Sequence, residues 1–345
     1  LIDNDAHNFA ILVYVHFNIS GRSLKPLTCD PATGFCSKFD SDNDGTQTLN
    51  MDRLIHGLAA DDTVRVMAAI STNTVEEVVR RHRTSPTVAA ALGRTLTGAA
   101  LLASTLKDFD RLTIKVDGTG PIGGITAEAR PDGSVRGYVK EPLADLPPAA
   151  NGKFDVGGIV GSGTLYVIRE SGFDIGLHKD PYIGSVPIVS GEIGDDLAYY
   201  LARSEQIPSA VMLGVLLKNT EPFVAAAGGI IVQMMPNTPD HIITMIEDMV
   251  THAPPVTEMI SGGATADDLL SNLLGVIDHR VVDEHELRFE CTCSQEKAVS
   301  MVAALGADEI ASMLENDKGA TMNCGFCGET YTLDEGELDG ILAGI

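Results

Sequence analysis

The sequence predicts an α+β fold in three parts: an N-terminal α/β-sheet core domain, a metastable helical linker, and a small C-terminal module built around four cysteines. Three observations predict it. Between Met51 and Met235, alternating and continuous apolar runs suited to strands are interspersed with helical patterns. After Pro236 come short amphipathic stretches, broken by Pro254-Pro255 and Gly262-Gly263. Near the end stand two tight cysteine pairs, Cys291/Cys293 and Cys324/Cys327. At 345 residues the chain is long enough for about two domains and needs no disulfides to bury a core. Hydrophobic residues make up 44% and aromatics 5%, with no Trp, so that core is expected to be aliphatic.

Residues 1–50 differ in texture and are set apart as an extension of unknown role. Their apolar stretch, F-A-I-L-V-Y-V-H-F, has the look of a signal core, but Asp3 and Asp5 occupy the place of a basic leader. Asp40, Asp42, Asp44 and Gly45 have the opening spacing of a calcium loop. Its twelfth position is Met51 where a bidentate Glu is required, so a solvated acidic turn is expected instead. Cys29 and Cys36 are read as unrelated to the later four, and Met51 as an alternative start.

The core is assigned to 51–235. A helix is expected over 75–83, and Pro86 opens a second whose small residues permit close packing. R-L-T-I-K-V-D-G alternates as a strand, and a hairpin follows in which 122–129 and 134–139 flank P-D-G. Further strands are expected at 164–168 and 185–189, then a helix over 195–206 with acidic residues at its positive end. A-V-M-L-G-V-L-L and V-A-A-A-G-G-I-I-V-Q-M-M read as buried strands. The linker, 236–288, is expected to hold short helices at about 239–251, 255–260 and 265–275. Each is near or below the length at which an isolated helix is marginal in water.

The net charge of −24 is uneven: residues 236–345 hold 21 acidic and 4 basic side chains, a balance of −17. Such a surface repels phosphate backbones, so no nucleic-acid partner is expected. The apolar run 95–106, bounded by Arg94 and Lys107, is 12 residues, too short to span a membrane. G-T-G-P-I-G, Gly118 to Gly123, fits the dinucleotide fingerprint on paper. The segment after it reads as a strand where the fingerprint needs a helix, so a tight turn is preferred. No nucleophile elbow, P-loop or H-E-x-x-H motif is present.

The C-x-C and C-x-x-C pairs are the strongest chemical signal. Each can place two sulfurs on one side of a tight turn, and together they offer the four thiolates that Zn²⁺ favours. Gly325 and Gly328 are expected to permit the second turn. Buried unmodified thiols are a poorer reading beside polar Glu290, Thr292 and Asn323. His279 and His285 stand close enough in sequence to compete as ligands, although solvated linker histidines are the blander account. Four thiolates leave no open position, so the expected metal is structural rather than catalytic.

Several stretches resemble, in order, one known family. They are R-R-H-R-T-S-P-T-V-A-A-A-L-G-R, G-T-G-P-I-G-G, V-S-G-E-I-G-D-D-L-A-Y-Y-L-A-R-S-E-Q-I-P-S-A-V, A-A-G-G-I-I-V-Q-M-M-P and C-G-F-C-G-E-T-Y. The chain is thereby similar, from about Met51 onward, to the redox-regulated thirty-three-kilodalton heat-shock chaperones. That resemblance implies an ATP-independent holdase rather than an enzyme. It implies one zinc per chain on Cys291, Cys293, Cys324 and Cys327 of a zinc domain over 289–345. When oxidised, the chain would lose zinc, form Cys291–Cys293 and Cys324–Cys327 disulfides, expose apolar surface and dimerise; reduced, it would be a monomer of low activity. Its partners would be unfolding clients, later passed to ATP-dependent foldases, and its place the cytoplasm, or an organelle if 1–50 is a targeting segment. Two other classes stay open: a structural zinc-ribbon interaction module, and a dithiol oxidoreductase using Cys324 and Cys327.

Overall fold

A computed structural model of the chain describes residues 51–107, 110–150, 152–171 and 180–344. The calcium-like pattern, Cys29, Cys36 and the apolar stretch of the extension lie outside them. The elements run β1 (Arg53–Ala59), β2 (Val64–Ile70), α1 (Thr72–His82), α2 (Pro86–Ala103), β3 (Arg111–Gly118), β4 (Ile125–Ala129), β5 (Ser134–Val139), α3 (Val156–Val160), β6 (Gly163–Glu170), β7 (Tyr182–Pro187), α4 (Gly194–Arg203), β8 (Ser209–Leu217) and β9 (Val224–Met234). Then come α5 (Asp240–His252), α6 (Val256–Ser261), α7 (Ala266–Leu274), β10 (His279–Glu286), β11 (Arg288–Phe289), α8 (Gln295–Ala303), α9 (Ala307–Asn316), β12 (Gly319–Asn323), β13 (Thr330–Asp334) and α10 (Glu335–Ala343).

Two sheets sandwich α2. One has the order β10-β1-β2-β9-β8, the other β11-β5-β4-β3-β6-β7; β12 and β13 form a separate ribbon. Every residue of α2 from Thr87 to Ala103 is buried, because the helix packs on β4 and β5 of one sheet and β8 and β9 of the other. That explains a helix apolar all round, the signature of a fully interior element. Its start is fixed by Ser85, whose hydroxyl accepts from the Val88 N–H, with Pro86 in the first turn. A second apolar cluster lies on the outer face of the five-stranded sheet. There Ile55, Val66, Ala68, Ile230 and Val232 meet Ile246, Val250, Leu269, Leu270, Leu273 and Leu274 of α5 and α7.

Two features differ from the sequence expectation. The segment read as a helical linker, 236–288, is helical only to Leu274; its last part is β10, paired antiparallel with β1 from His279 to Glu286. His279 and His285 sit on that strand, beside Asp267 and Asp283 respectively. The sequence pattern also does not announce β1 and β2. Both faces of their sheet are covered, so the alternation that marks a half-exposed strand is lost.

Two glycine- and acid-rich motifs resolve into packing. A Cβ on Gly118 would lie 2.0 Å from the Val160 carbonyl oxygen, and one on Gly120 2.3 Å from that of Ile159. The G-T-G-P-I-G turn is therefore glycine-rich because α3 packs on its backbone, and β4, not a helix, follows it. In V-S-G-E-I-G-D-D, buried Asp196 accepts from the N–H groups of Val189, Ser190 and Ile193, which holds the turn into α4. Glu192 of the same turn takes the guanidinium of fully buried Arg94 at 2.5 Å, pinning α2.

Candidate metal centre

The first cysteine pair follows directly from a strand of the core. β11 adds in parallel to β5, and the Glu290 N–H donates to the Val135 carbonyl at 3.1 Å, so Cys291 leaves the edge of the six-stranded sheet. Cys293 is followed by Ser294, whose hydroxyl caps α8. The second pair is the tip of the β12–β13 ribbon. There the Cys324 N–H donates to the Glu329 carbonyl at 2.8 Å and the Gly328 N–H to the Cys324 carbonyl at 2.9 Å. Gly328 has φ +74°, the left-handed conformation that favours glycine. Gly325 has no such φ and nothing crowds its Cβ position, so of the two glycines only Gly328 is required by the turn.

The four sulfurs converge. Their Sγ atoms all lie within 4.8 Å of one another, with Cys291–Cys293 at 3.4 Å, Cys291–Cys324 at 3.6 Å and Cys293–Cys327 at 3.3 Å. A tetrahedral set of 2.3 Å metal–sulfur bonds places sulfurs about 3.8 Å apart, whereas a disulfide holds them near 2.05 Å. These are four free thiols arranged around a point, a donor set fit for a soft divalent cation such as Zn²⁺. His279 and His285 are not brought to it; among the described residues the grouping consists of the four cysteines alone.

The surroundings shift the ionisation of three of the thiols. Burial pushes Cys291 up, but hydrogen bonds from the Cys293 backbone and the neighbouring thiols outweigh it and bring Cys291 down to about 7. Burial, together with the neighbouring sulfurs, pushes Cys327 up, and burial does the same to Cys293 despite the Tyr331 hydroxyl donating to its sulfur at 3.0 Å. One negative charge in the cluster opposes the next. A divalent cation held by Cys291, Cys293, Cys324 and Cys327 would offset that penalty and favour their thiolate forms.

The core domain supplies a wall that sequence reasoning did not single out. The Arg136 guanidinium on β5 lies 3.8 Å from Cys291 Sγ and 3.4 Å from Thr292 Oγ1, and 4.0 Å over the Phe326 ring. Phe326 also meets Tyr138 edge-on at 5.1 Å. At the end of α1, Arg81 donates to the Cys327 carbonyl at 3.4 Å, and His82 Nε2 lies 2.9 Å from that of Phe326. The signal was present in two quoted motifs: R-R-H-R contains Arg81 and His82, and C-G-F-C contains Phe326. Behind the centre, the C-terminal module has a small core of Val302, Ile310, Leu333 and Leu338. Among the described residues, no helix is long and apolar enough to cross a membrane.

Comparison with known proteins places this architecture. A family model described as Hsp33 protein matches residues 52–334. A 33 kDa chaperonin of Staphylococcus carnosus is 43% identical over 295 residues, covering 85% of this chain and 98% of that protein. A 33 kDa chaperonin of Bacillus licheniformis is 44% identical over 292 residues, covering 84% and 99%. The crystal structure of a 33 kDa chaperonin from Thermotoga maritima superposes with a TM-score of 0.77 at 35% identity, covering 86% of this chain and 98% of that one.

Proposed function

Since the chain belongs to the Hsp33 chaperone family, we propose that it is a redox-regulated holdase that binds unfolding proteins without ATP. The observation that carries the reading is the place of the four thiols. They lie at the end of the same stretch that lays α5–α7 over one sheet and adds β10 and β11 to the edges of both. Whatever loosens the cysteine centre therefore acts on the segment that covers the core.

The residues supply the physical steps. Bound Zn²⁺ would be held by Cys291, Cys293, Cys324 and Cys327 and would contribute folding free energy to a module whose own core is four fully buried residues. Oxidation by a peroxide closes each pair: two thiols lose two protons and two electrons, one S–S bond forms, and the peroxide is reduced to water. Cys324 and Cys327 close the wider ring, and Cys291 and Cys293 the smaller, more strained one. With its ligands consumed, the module would lose the metal and the folding free energy that the metal supplies. Residues 236–288 then lose a packing partner, and the apolar face beneath α5–α7 becomes available to clients.

On this reading the core domain is 51–235, the linker 236–288 and the zinc domain 289–345. The reduced protein is monomeric and the oxidised one dimeric. Clients are passed on to ATP-dependent foldases, and the protein works in the cytoplasm unless residues 1–50 direct it to an organelle. The test is aggregation suppression of a heat- or denaturant-unfolded client, without ATP, by zinc-loaded reduced protein and by peroxide-oxidised protein. Only the oxidised form should suppress. Zinc content should be one per chain in the reduced form and lost in a Cys324→Ser/Cys327→Ser variant; full zinc in that variant would sink the ligand assignment. Catalytic turnover of a disulfide substrate would favour an oxidoreductase instead.

A further inference from the structure

We propose that Arg136, a residue of the core domain, is an outer-shell partner of the four-cysteine centre, so that the core itself helps to retain the metal and the redox module is not an autonomous switch. The proposal rests on reading the cysteines as a metal site. One guanidinium reaches both chain segments that carry them. Its Nη1 faces Cys291 Sγ and Thr292 Oγ1, while its Cζ lies 4.0 Å over the ring of Phe326, between Cys324 and Cys327. The fork is fixed from behind by Glu128, at 2.8 Å from Nε and 2.5 Å from Nη2. Both side chains are only 17% exposed, so the charge acts across a medium that screens it poorly.

The chemistry favours a cation at this point. Four thiolates around a divalent ion leave a net charge near −2, on a module that is itself acidic: residues 289–345 hold 11 Asp and Glu against 2 Lys. A fixed guanidinium beside Cys291 offsets part of that charge and holds the C-x-C loop in place, the two tasks of partners that surround a metal's own ligands. Its stacking on Phe326 does a third thing. The knuckle presents that ring, and the carbonyls taken by Arg81 and His82, when Cys324 and Cys327 are drawn to a common point. Docking on the core and metal binding therefore favour one another, and the coupling is reciprocal: docking strengthens the hold on the metal by the same factor as the metal strengthens the dock.

The test uses the full chain loaded with one zinc and reads the rate at which zinc passes to a chromogenic chelator, with and without a fixed excess of peroxide. Arg136→Ala should release zinc about tenfold faster, in the range that loss of an outer-shell partner produces. Arg136→Lys, which keeps the charge and loses the planar fork, should fall between. Phe326→Ala approaches the contact from the module and leaves β5 intact; it should also speed release several-fold. Arg111→Ala is the control, since Arg111 stands 4.0 Å from the same Glu128 but is not among the residues contacting the cysteines. Wild-type release rates in both Arg136→Ala and Phe326→Ala would overturn the proposal. So would equal acceleration by Arg111→Ala and Arg136→Ala, because the effect would then run through Glu128 and the stability of the sheet. A wild-type chain that binds no zinc at all would instead overturn the metal reading beneath it.

Discussion

Asp52 shows what one buried carboxylate does in this fold. It sits immediately before β1, 3% exposed, and accepts from the Thr74 N–H at 2.6 Å and the Asn73 N–H at 3.1 Å, holding the first turn of α1. Its own carbonyl takes the Leu287 N–H, so the same residue also ties down the chain just after β10. Burial raises its carboxyl to about 6, against the lowering effect of the Thr74 and Asn73 donors. The folded chain thus keeps a proton up to about pH 6 that the unfolded chain releases near pH 4. Between those values the folded state binds more protons, and stability from this group falls as pH rises, by about 2–3 kcal/mol at most. Thermal unfolding of the reduced protein at pH 4.5 and 6.5 checks it. The difference between wild type and Asp52→Asn should shift across that interval in this direction; a pH-independent difference would mean the carboxyl titrates normally.

Among the elements, α7 and β10 carry the functional tension. α7 is well specified locally, with Thr265 and Asp268 forming a reciprocal cap, and it buries Leu269, Leu270, Leu273 and Leu274. Each leucine contributes about 1.5–3 kcal/mol of burial, against an ordering cost of about 1–2 kcal/mol for every residue fixed. The helix is held by what lies beneath it and beside it. β10 is looser still: its residues alternate little, most are exposed, and its register against β1 slips between His56 and Gly57. Local opening should begin there. Hydrogen exchange on reduced and oxidised protein is expected to rise across 239–286 and around the four cysteines, and to stay slow in β8 and β9. Rising aggregation suppression with unchanged protection over 239–286 would refute the unfolding mechanism even with the zinc site right.

For the whole molecule, the separation of tasks yields a truncation experiment. The family match begins at residue 52, and the C-terminal module meets the core through Arg136, Tyr138, Arg81 and His82. A chain beginning at Met51 should keep one zinc and remain switchable, as measured by metal content and client aggregation. Loss of zinc in that chain would bring Cys29 or Cys36 into the site. A chain ending at Leu287, which keeps β10 but removes β11 and the zinc domain, should suppress aggregation without oxidation.

Much of this was legible without coordinates. Spacing alone picked out the four thiols, because C-x-C and C-x-x-C turns are local devices whose sulfurs point the same way whatever surrounds them. Periodicity found α2, β8, β9 and α5 to α7, whose patterns are carried by consecutive residues, but not α8 to α10 of the small C-terminal module. It could not find β10, a polar strand held by main-chain bonds to a partner more than 200 positions earlier, nor β1 and β2, covered on both faces. Nor could it see that Arg136 lies against Cys291, 155 residues away. Those facts depend on which surfaces meet, and that is decided when sheets and helices pack, by shape and charge that no single stretch of sequence contains.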